Sequence, residues 1–465
     1  MALRDRLPEP LARRSRVLLD PDGEADPDGG FVLYWMRTAV RGHENPALDA
    51  ALALGRALDR PVFVYHALSE RYPYASDRHH TFILEGARDV EAELAGRGIG
   101  YAFHLERPGH RGPHLKTLSR RAAAVVTEDV PVAPLRGWTR ALAEAVPAPV
   151  MAVDASCLVP MRLVPASRTL RAYLFRKAGA EERARALDGL PWAEEPAPDE
   201  PFVPELPFEP VPLADADPAR LVAACEIDHL VAPVPHTPGG SRAGYTRWAG
   251  FRDGGGLAGY ARRRNDPLRD GVSRMSPYLH YGHVSPFRIA REAREADLRG
   301  SDKYLDELLV WRELAWAFCY HHPDHESVEV LPDWARETLE EHEEDPRPLL
   351  ASWERLARSR TGDALWDAAQ DSLRIQGELH NNVRMTWGKA VLGWTPDAGR
   401  ALELLVDLNH RYALDGRDPN SYGGILWCLG AFDRPFSPER SVTGRVRSRS
   451  TERHAGRLDG GRYRA

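Results

Sequence analysis

Short apolar runs alternate with amphipathic segments through the first third of the chain. The runs are six to eight residues long, are bounded by polar turns and lie at residues 31–36, 61–68, 99–105, 123–129 and 149–156. Helical periodicity occupies the intervals between them, at residues 46–58, 77–94, 114–122 and 135–146. Continuous apolar strands alternating with helices are typical of a parallel sheet covered on both faces. The pattern predicts an α/β domain with a doubly wound parallel sheet.

The pattern changes beyond residue 190. Residues 191–218 contain nine prolines in 28 positions, which predicts an extended connector whose Phe202, Leu206 and Phe208 dock on the protein. From about residue 216 onward the periodicity is helical almost throughout, which predicts an all-α domain. The predicted divisions are a polar leader (1–30), the α/β domain (31–186), the Pro-rich connector (187–218), the helical domain (219–448) and a disordered tail (449–465).

Composition excludes several classes of protein. Hydrophobic residues make up 43% of the chain and charged residues 28%, as in ordinary globular proteins. No apolar run reaches the ~20 residues of a membrane span, and the first thirty residues lack the apolar core of a signal peptide. Four dispersed cysteines predict neither a disulfide framework nor a thiolate metal site. His79-His80 and residues 321–325 have metal-capable spacings, but a solvated or capping role is favoured and no metal is predicted. We expect a cytoplasmic protein without a membrane anchor.

Charge is segregated along the chain. The net charge is −6, yet residues 242–299 carry twelve Arg against six acids and residues 434–465 carry nine against three. Only four of the 62 basic residues are Lys. Because the chain prefers Arg to Lys so strongly in general, a high Arg count is by itself weak evidence for phosphate binding. The segregation indicates a basic surface in the helical half, with a merely solvated face as the alternative.

Two segments of the helical half combine polar groups with helix starts or aromatic rings. Ser273 and Ser276 flank Arg274 just before a Pro, where hydroxyls and backbone N–H groups can hold a pyrophosphate or simply cap a helix. Glu313 and Trp316 are three residues apart and share a helical face, which suits either recognition of a base edge or a satisfied buried acid.

Two further segments lie near the end of the helical domain. Arg384 precedes Trp387 by three residues, Trp394 follows Trp387 by seven, and Trp366 precedes it by 21. This spacing alone favours a Trp-rich core. The polar, Gly-rich loop that contains Asp415 and Asp418 is unusual in a helical domain and indicates function. Asp415 can form a buried ion pair with Arg384 if further hydrogen bonds support the pair.

Together these segments resemble the photolyase/cryptochrome family, most closely the class II cyclobutane pyrimidine dimer photolyases. The resemblance rests on LDGRDPNSYGGILW (414–427), RMTWGKAVLGW (384–394), SRMSPYLHYG (273–282) and the N-terminal YWM (34–36). It spans roughly residues 31–450 and implies an α/β domain followed by a helical FAD-binding domain.

The resemblance implies a non-covalent, U-shaped FAD in the helical domain. Arg384 and Asp415 match the ion pair beside the isoalloxazine, and Asn409 matches the asparagine that faces flavin N5 and stabilises the reduced flavin. The other implied cofactor-binding residues are Tyr260, Ser273, Arg274, Met275, Ser276, Gly416 and Asp418. The resemblance leaves the antenna chromophore open, with a deazaflavin between the domains as one option.

The implied reaction is light-dependent repair, in which photoexcited FADH⁻ donates an electron that splits a cyclobutane pyrimidine dimer. The implied partner is UV-damaged DNA with the dimer flipped into a pocket, bound by a monomer. Trp387, Trp366 and Trp394 match an electron-transfer chain with Trp387 proximal to the flavin. The residues implied to contact substrate or DNA are Glu313, which hydrogen-bonds the dimer, Trp316 and Trp427, which stack on it, and Arg434 and Arg447.

The chain departs from the class II pattern at several positions. His410 replaces the Asp that usually follows the N5 asparagine, Asn381-Asn382 replaces Gly and an aromatic residue, and the 427–434 segment is one residue shorter. Two alternatives therefore stay open: a cryptochrome-like photosensor that signals to a protein partner, and a flavoprotein with a redox or structural role that does not involve DNA.

Overall fold

The computed structural model describes residues 1–20, 22–196, 198, 200–458 and 463, which form two compact units. The first unit comprises Met1–Leu163, Gly179–Gly250 and Arg274–Ala296, and the second comprises Val164–Ala178, Phe251–Ser273 and Asp297–Ala465. The strands are β1 (Ser15–Val17), β2 (Phe31–Met36), β3 (Val62–Leu68), β4 (Gly100–Leu105), β5 (Ala122–Glu128) and β6 (Val150–Val153).

The helices follow in chain order. They are α1 (Glu9–Arg13), α2 (Pro46–Leu58), α3 (Asp77–Gly96), α4 (His114–Ser119), α5 (Leu135–Ala145), α6 (Ala172–Ala178), α7 (Ala180–Asp188), α8 (Pro218–Val222), α9 (Ser241–Asp253), α10 (Gly256–Arg263), α11 (Ser276–His280), α12 (Pro286–Glu295), α13 (Ser301–Asp306), α14 (Glu313–His321), α15 (Asp333–Glu341), α16 (Trp353–Ala357), α17 (Ala364–Gln376), α18 (Asn381–Val391), α19 (Ala398–Tyr412), α20 (Pro419–Cys428) and α21 (Thr451–Ala455). A π-helical segment, Glu307–Arg312, joins α13 to α14.

The six strands of the first unit form one sheet in the order β1-β6-β5-β2-β3-β4. Strands β2 to β6 pair in parallel, and β1 adds to β6 antiparallel at the edge. The strand order reverses on either side of β2, as in a doubly wound sheet. Every residue of β2 and β5 is buried, which explains why these strands are continuous apolar runs. The predicted fold class is confirmed.

The predicted polar leader is part of the fold. Residues 15–17 form the edge strand β1, in which Ser15 lies opposite Val153. Leu3 and Leu11 in the same segment are fully buried. The sequence pattern missed this strand because three residues are too few to show alternation, so only pairing with β6 defines it.

The Pro-rich connector packs against the sheet as predicted. Phe202, Leu206 and Phe208 lie against the cluster that contains Phe31 and Tyr65. The Phe202 ring is 5.8 Å from the Phe31 ring centroid. Proline supplies extended backbone here, while the intervening apolar side chains supply the burial.

The second unit is helical, and two of its helical segments differ from the uniform periodicity of the sequence. The segment at 302–321 contains the π-helical turn, and the segment at 363–394 breaks between α17 and α18. Gly377 ends α17 with φ 65°, a left-handed conformation that favours glycine at a helix C-terminus.

The tail that the sequence predicted to be disordered contains helix α21. Its His454 is 7% exposed and forms a hydrogen bond with Thr386 in α18. A buried tertiary contact therefore orders this segment, which composition could not reveal. Residues 459–462, 464 and 465, within the same predicted tail, lie outside the described residues.

The two compact units divide the chain differently from the predicted boundaries. The first unit extends past the connector because Trp248 of α9 donates to Glu292 of α12, and Tyr278 of α11 packs on Phe82 of α3. Within the described part of the chain, no helix is long and apolar enough to cross a membrane, and no cluster of His, Cys, Asp and Glu has metal-binding geometry.

Candidate functional site

Helix α18 carries three kinds of chemistry on different sides. Met385 and Lys389, four residues apart, face a cavity of about 610 Å³ in the second unit. Arg384 points to α19 and the loop that follows it, and Trp387 points to α17. One helix therefore fixes the spatial relation between a cavity, an ion pair and an aromatic cluster.

The ion pair predicted between Arg384 and Asp415 is present. Arg384 donates through Nη2 to Asp415 Oδ1 at 3.3 Å and through Nη1 to Asn409 Oδ1 at 3.2 Å. Asn409 is 1% exposed, whereas the side chains of the pair are 17% and 16% exposed. The second hydrogen bond gives the guanidinium the additional acceptor that a partly buried charge requires.

The loop between α19 and α20 is held from both ends. Asp418 is the N-cap of α20 and accepts from the Asn420 N–H at 2.8 Å, while Pro419 takes the first helical position. Gly416 lies so close to the end of α19 that a Cβ would meet His410 Cα at 2.9 Å. Arg417 has φ 69°, a left-handed backbone that is strained for a non-glycine residue.

His410, a departure from the class II pattern, organises this loop. Its Nδ1 accepts from the Arg417 backbone N–H at 3.3 Å, and its ring lies edge-on to Tyr422 at 4.8 Å. His410 Nδ1 also lies 3.4 Å from the Asn409 Nδ2 amide. The side chain that replaces Asp therefore stabilises the loop and lies next to the buried amide.

Trp387, Trp366 and Trp394 form a continuous array of rings. The rings of Trp366 and Trp387 stack with centroids 6.1 Å apart and planes 10° apart, and Trp394 lies edge-on to Trp366 at 5.4 Å. Trp387 and Trp366 are each 1% exposed, whereas Trp394 is half-buried. The array therefore runs from the interior of the unit toward its surface.

Gln370 is a member of this cluster that sequence reasoning missed. The Trp387 indole donates to Gln370 Oε1 at 2.9 Å, and Gln370 is fully buried. Its position four residues after Trp366 on α17 places both on one helical face, which was the available signal.

The implied phosphate-binding positions fall in both units, and each is described within its own. In the second unit, Tyr304 donates its hydroxyl to Ser273 Oγ at 3.3 Å and packs edge-on against Tyr260 at 5.2 Å. Burial raises the pKa of Tyr304 to about 12 and raises the pKa of Tyr260 as well, so both hydroxyls stay neutral. In the first unit, Arg274, Met275 and Ser276 lead into α11, and Arg274 has φ 53°.

Trp316 and Trp427, the two implied stacking partners of the dimer, lie in different environments. Trp316 is 1% exposed with the Arg312 guanidinium over its ring at 5.1 Å, and Glu313 is equally buried. Trp311 stacks on Trp427, with centroids 4.7 Å apart and planes 9° apart. The π-helical turn that ends at Arg312 shifts the helical phase, so regular periodicity could not identify the outward-facing ring.

Trp427 lines the cavity beneath α18, together with Arg447 and Lys389. Seven Arg and Lys side chains line the cavity among the described residues, against Asp433 as the carboxylate. Arg434 does not line it, but Arg434 and Arg447 both lie against the Phe436 ring, at 6.0 and 5.4 Å. The two predicted DNA contacts are therefore neighbours around one aromatic side chain.

Lys389 was also missed as a site residue. Its Nζ donates to the carbonyl oxygens of Cys428 at 3.1 Å and Trp427 at 3.4 Å, at the C-terminus of α20. A cation at a helix C-terminus is favoured by the helix dipole. Burial lowers the pKa of Lys389. The sequence did offer a signal for Lys389, because the chain has four Lys and this one lies inside an apolar motif.

The polar groups around Arg384 fit an isoalloxazine ring. Such a ring presents nitrogen and carbonyl groups along its edge, and Arg384, Asp415 and Asn409 offer guanidinium donors, carboxylate acceptors and an amide in hydrogen-bonded contact with one another. The partial exposure of the ion pair leaves room for a further partner. These three residues would hold FAD in this unit.

Comparison with known families gives two matches. The family described as DNA photolyase matches residues 32–197, and the family described as FAD binding domain of DNA photolyase matches residues 304–391. The chain is 33% identical over 425 residues to the deoxyribodipyrimidine photo-lyase of Methanothermobacter thermautotrophicus, covering 91% of each chain. It is 33% identical over 452 residues to the enzyme of that name from Oryza sativa, covering 93% of this chain and 86% of the relative.

Solved structures share the fold at low sequence identity. A class III photolyase from Agrobacterium tumefaciens matches with a TM-score of 0.68 and 17% identity, over 94% of this chain and 86% of the other. A Synechocystis cryptochrome matches with a TM-score of 0.68 and 18% identity, over 93% and 88%. At these identities the likeness establishes the fold alone.

Proposed function

The chain belongs to the DNA photolyase family, an FAD-containing family of light-driven DNA repair enzymes, and we propose that it splits cyclobutane pyrimidine dimers as a class II enzyme. The observation that carries the proposal is the arrangement around α18. Its successive sides present Arg384 to Asp415, Trp387 to Trp366, and Lys389 to the cavity beside Trp427. Helix α18 therefore carries residues that we assign to the cofactor site, to the electron-transfer array and to the substrate cavity.

FAD, when bound as FADH⁻ and photoexcited, supplies an electron that returns after two carbon–carbon bonds of the dimer break, so no net redox change occurs. Arg384, Asp415 and Asn409 would hold and orient the ring, and the Asn409 amide would offer a hydrogen-bonding group to its edge. Within the second unit, Tyr260 and Ser273 would hold the phosphates, and Gly416 and Asp418 fix the loop that carries Asp415. Arg274, Met275 and Ser276, which the resemblance also implies, belong to the first unit.

The Trp array supplies electrons from solution to the cofactor. Trp387 is the inner member, Trp366 the middle one and Trp394 the outer one, and the gradient of exposure supports this direction. Ring contacts of 5.4 and 6.1 Å allow the electron to move in short hops. A Trp-rich core would explain the burial of the inner pair, but it does not require the half-buried Trp394 in contact with Trp366.

The cavity beside Trp427 receives the damaged bases. A lesion inside a duplex must be extruded before chemistry can occur, and its poor stacking lowers the cost of extrusion. Trp427, held by its stack on Trp311, offers a flat face to a base. Glu313, which is buried and does not line this cavity, is assigned to the dimer by the family resemblance alone. Arg434 and Arg447 hold the DNA backbone beside the extruded site.

The residues that we assign to cofactor, electron transfer and DNA in the second unit all lie on a single chain. We therefore propose a monomer as the active species. The four cysteines are buried thiols, which agrees with a reducing cytoplasm.

The test is repair of defined lesions. Protein with chemically reduced FAD is mixed with an oligonucleotide that bears one cyclobutane thymine dimer, illuminated with blue light, and assayed for intact thymines. A matched oligonucleotide with a 6-4 product and a dark sample serve as controls. Light-dependent restoration of the cyclobutane dimer alone is expected. Absence of splitting with full FAD content would reject the repair function and leave the photosensor.

A further inference from the structure

The segment after Arg447, here called the C-terminal arm (residues 448–458), forms one wall of the cavity beside Trp427. Ser448, Arg449, Ser450, Arg453 and Arg457 of the arm line the cavity. Opposite them lie the N-terminal turns of α18 and the end of α20. The arm therefore extends the surface that Arg447 begins.

Side-chain contacts attach the arm to the helices that carry the site. Arg449 donates to the Asn382 carbonyl at 3.0 Å and to its Oδ1 at 2.6 Å. Thr386 Oγ1 and His454 Nδ1 are 2.8 Å apart within a buried contact, and Thr451 bonds Asp363, the N-cap of α17. The arm is thus fixed to both α17 and α18, although fixing its backbone costs about 1–2 kcal/mol per residue in entropy.

Carboxylates of the described residues do not balance the charge of the arm. Among the described residues, Arg447, Arg449, Arg453 and Arg457 form no ion pair with an acid. Arginines elsewhere in the second unit are commonly paired, as Arg400 is with Glu403 and Arg411 with Asp407. Burial, with Arg447 and Arg457 nearby, lowers the pKa of Arg449. Cations held together without acids are stabilised by an external anion.

The same wall offers contacts for a nucleotide chain. The three arm arginines are spaced four residues apart around α21, and Trp427 offers a ring in the same cavity. Cationic side chains that follow a backbone, next to an aromatic platform for a base, are the arrangement that single-stranded nucleic acid requires. Asn381 adds an exposed amide that can contact a base edge.

We propose that the C-terminal arm binds DNA phosphates next to the base that stacks on Trp427, through Arg453 and Arg457, with Arg449 anchoring the arm. This inference rests on the DNA-binding function proposed above and assigns a role to residues beyond Arg447. The arm is a phosphate clamp that the cavity needs for full affinity.

The test is the salt dependence of DNA binding by an Arg453→Gln/Arg457→Gln double variant. Neither side chain bonds to a described residue of the protein, so the fold is expected to stay intact. Binding of a dimer-containing duplex is measured in the dark between 50 and 200 mM KCl. Loss of two phosphate contacts lowers the slope of log affinity against log salt by about 1.8, so affinity falls about 12-fold less over this range than in the wild type.

The matched control is Arg358→Gln/Arg360→Gln, which removes two exposed arginines outside the cavity in the same unit. It is expected to keep the wild-type slope. FAD content and photoreduction are recorded for every variant, and Arg457→Gln alone, with a slope change of about 0.9, replaces the double variant if the latter loses FAD.

A variant slope equal to that of the wild type would reject the arm as a phosphate clamp while leaving dimer repair in place. Wild-type protein that binds the duplex but does not split dimers would reject the repair function and leave the arm proposal standing. Wild-type protein that does not bind DNA would reject both.

Discussion

The indole N–H of Trp366 donates to the backbone carbonyl of Trp387 at 2.9 Å, while the two rings stack 6.1 Å apart. The hydrogen bond uses the backbone of Trp387, so it survives replacement of that side chain. The ring contact, in contrast, is lost when the side chain is replaced. This separation allows the structural and electronic contributions of Trp387 to be tested independently.

Trp387→Phe is expected to abolish photoreduction of oxidised FAD and to leave dimer repair intact when the flavin is reduced chemically. Loss of the Trp387 hydrogen bond leaves Gln370 unsatisfied, at a cost of about 1–3 kcal/mol of stability. Flavin absorbance under blue light measures photoreduction. Trp353→Phe, which changes a tryptophan that bonds Asp407 outside the array, is the control and should photoreduce normally. Wild-type photoreduction in Trp387→Phe would show that the array is only core.

Asp415→Ala is expected to weaken FAD binding about 10- to 100-fold, because Arg384 loses its charged partner beside the ring. The pair is 16–17% exposed, so the effect should be nearer 1.5–3 kcal/mol than the 3–5 of a fully buried pair. The ratio of flavin to protein absorbance after dialysis is the measurement. Asp407→Ala removes a carboxylate paired with Arg411 on the same helix and should retain flavin. Equal flavin content in both variants would contradict the assignment of Asp415.

Trp427→Ala is expected to weaken binding of dimer-containing DNA about 5- to 150-fold, because stacking on an aromatic ring contributes about 1–3 kcal/mol per base. Trp316→Phe should leave this affinity unchanged, since Trp316 is buried away from the cavity. Fluorescence anisotropy of labelled oligonucleotides measures both. The opposite result, with Trp316 as the sensitive position, would assign stacking on the dimer to Trp316 rather than to Trp427.

Glu313→Gln is expected to lower the yield of repair per absorbed photon, and Arg434→Ala to lower DNA affinity. Glu313 is 1% exposed and its carboxyl group is the hydrogen-bond partner assigned to the dimer, whereas Arg434 is an exposed cation beside Phe436. At saturating DNA, weakened binding no longer limits repair. The yield measured there therefore reports the effect on the reaction separately from the effect on DNA affinity. A Glu313→Gln variant with wild-type yield and weakened binding would assign Glu313 to binding instead.

Acid is expected to destabilise the first unit through His66 and His283. Burial lowers the pKa of each to about 3, with His66 and His280 contributing to the shift at His283. Below the unfolded pKa of about 6.5 the unfolded chain takes up protons that the folded chain does not, so stability is lost as pH falls. From pH 7 to pH 5 each histidine contributes a loss of about 2 kcal/mol.

Urea unfolding of wild-type protein and His66→Phe at both pH values measures this effect. Between pH 7 and pH 5, the loss of stability that is due to the two histidines should be about half as large in His66→Phe as in the wild type. His236→Gln, which alters an exposed histidine, should behave as the wild type. An unchanged pH dependence in His66→Phe would show that other groups are responsible.

The sequence by itself determined most of the fold and part of the site. Residues 31–36 were predicted as a strand and form β2 as Phe31–Met36, because a strand buried on both faces must be apolar throughout. Phe202 docks as expected from apolar residues interspersed with prolines. The Arg384–Asp415 pair was predicted because two charges in apolar surroundings need each other.

Only the tertiary structure decided which distant residues meet. The break at Gly377 turns two tryptophans 21 residues apart into stacked neighbours, and the π-helical turn before Glu313 directs Trp311 rather than Trp316 to Trp427. The buried contact of His454 with Thr386 orders a tail whose composition predicts disorder. Periodicity reports the local environment of each residue, whereas these relations depend on small changes in helical phase and on contacts between segments far apart in the chain, which are established only when the helices pack.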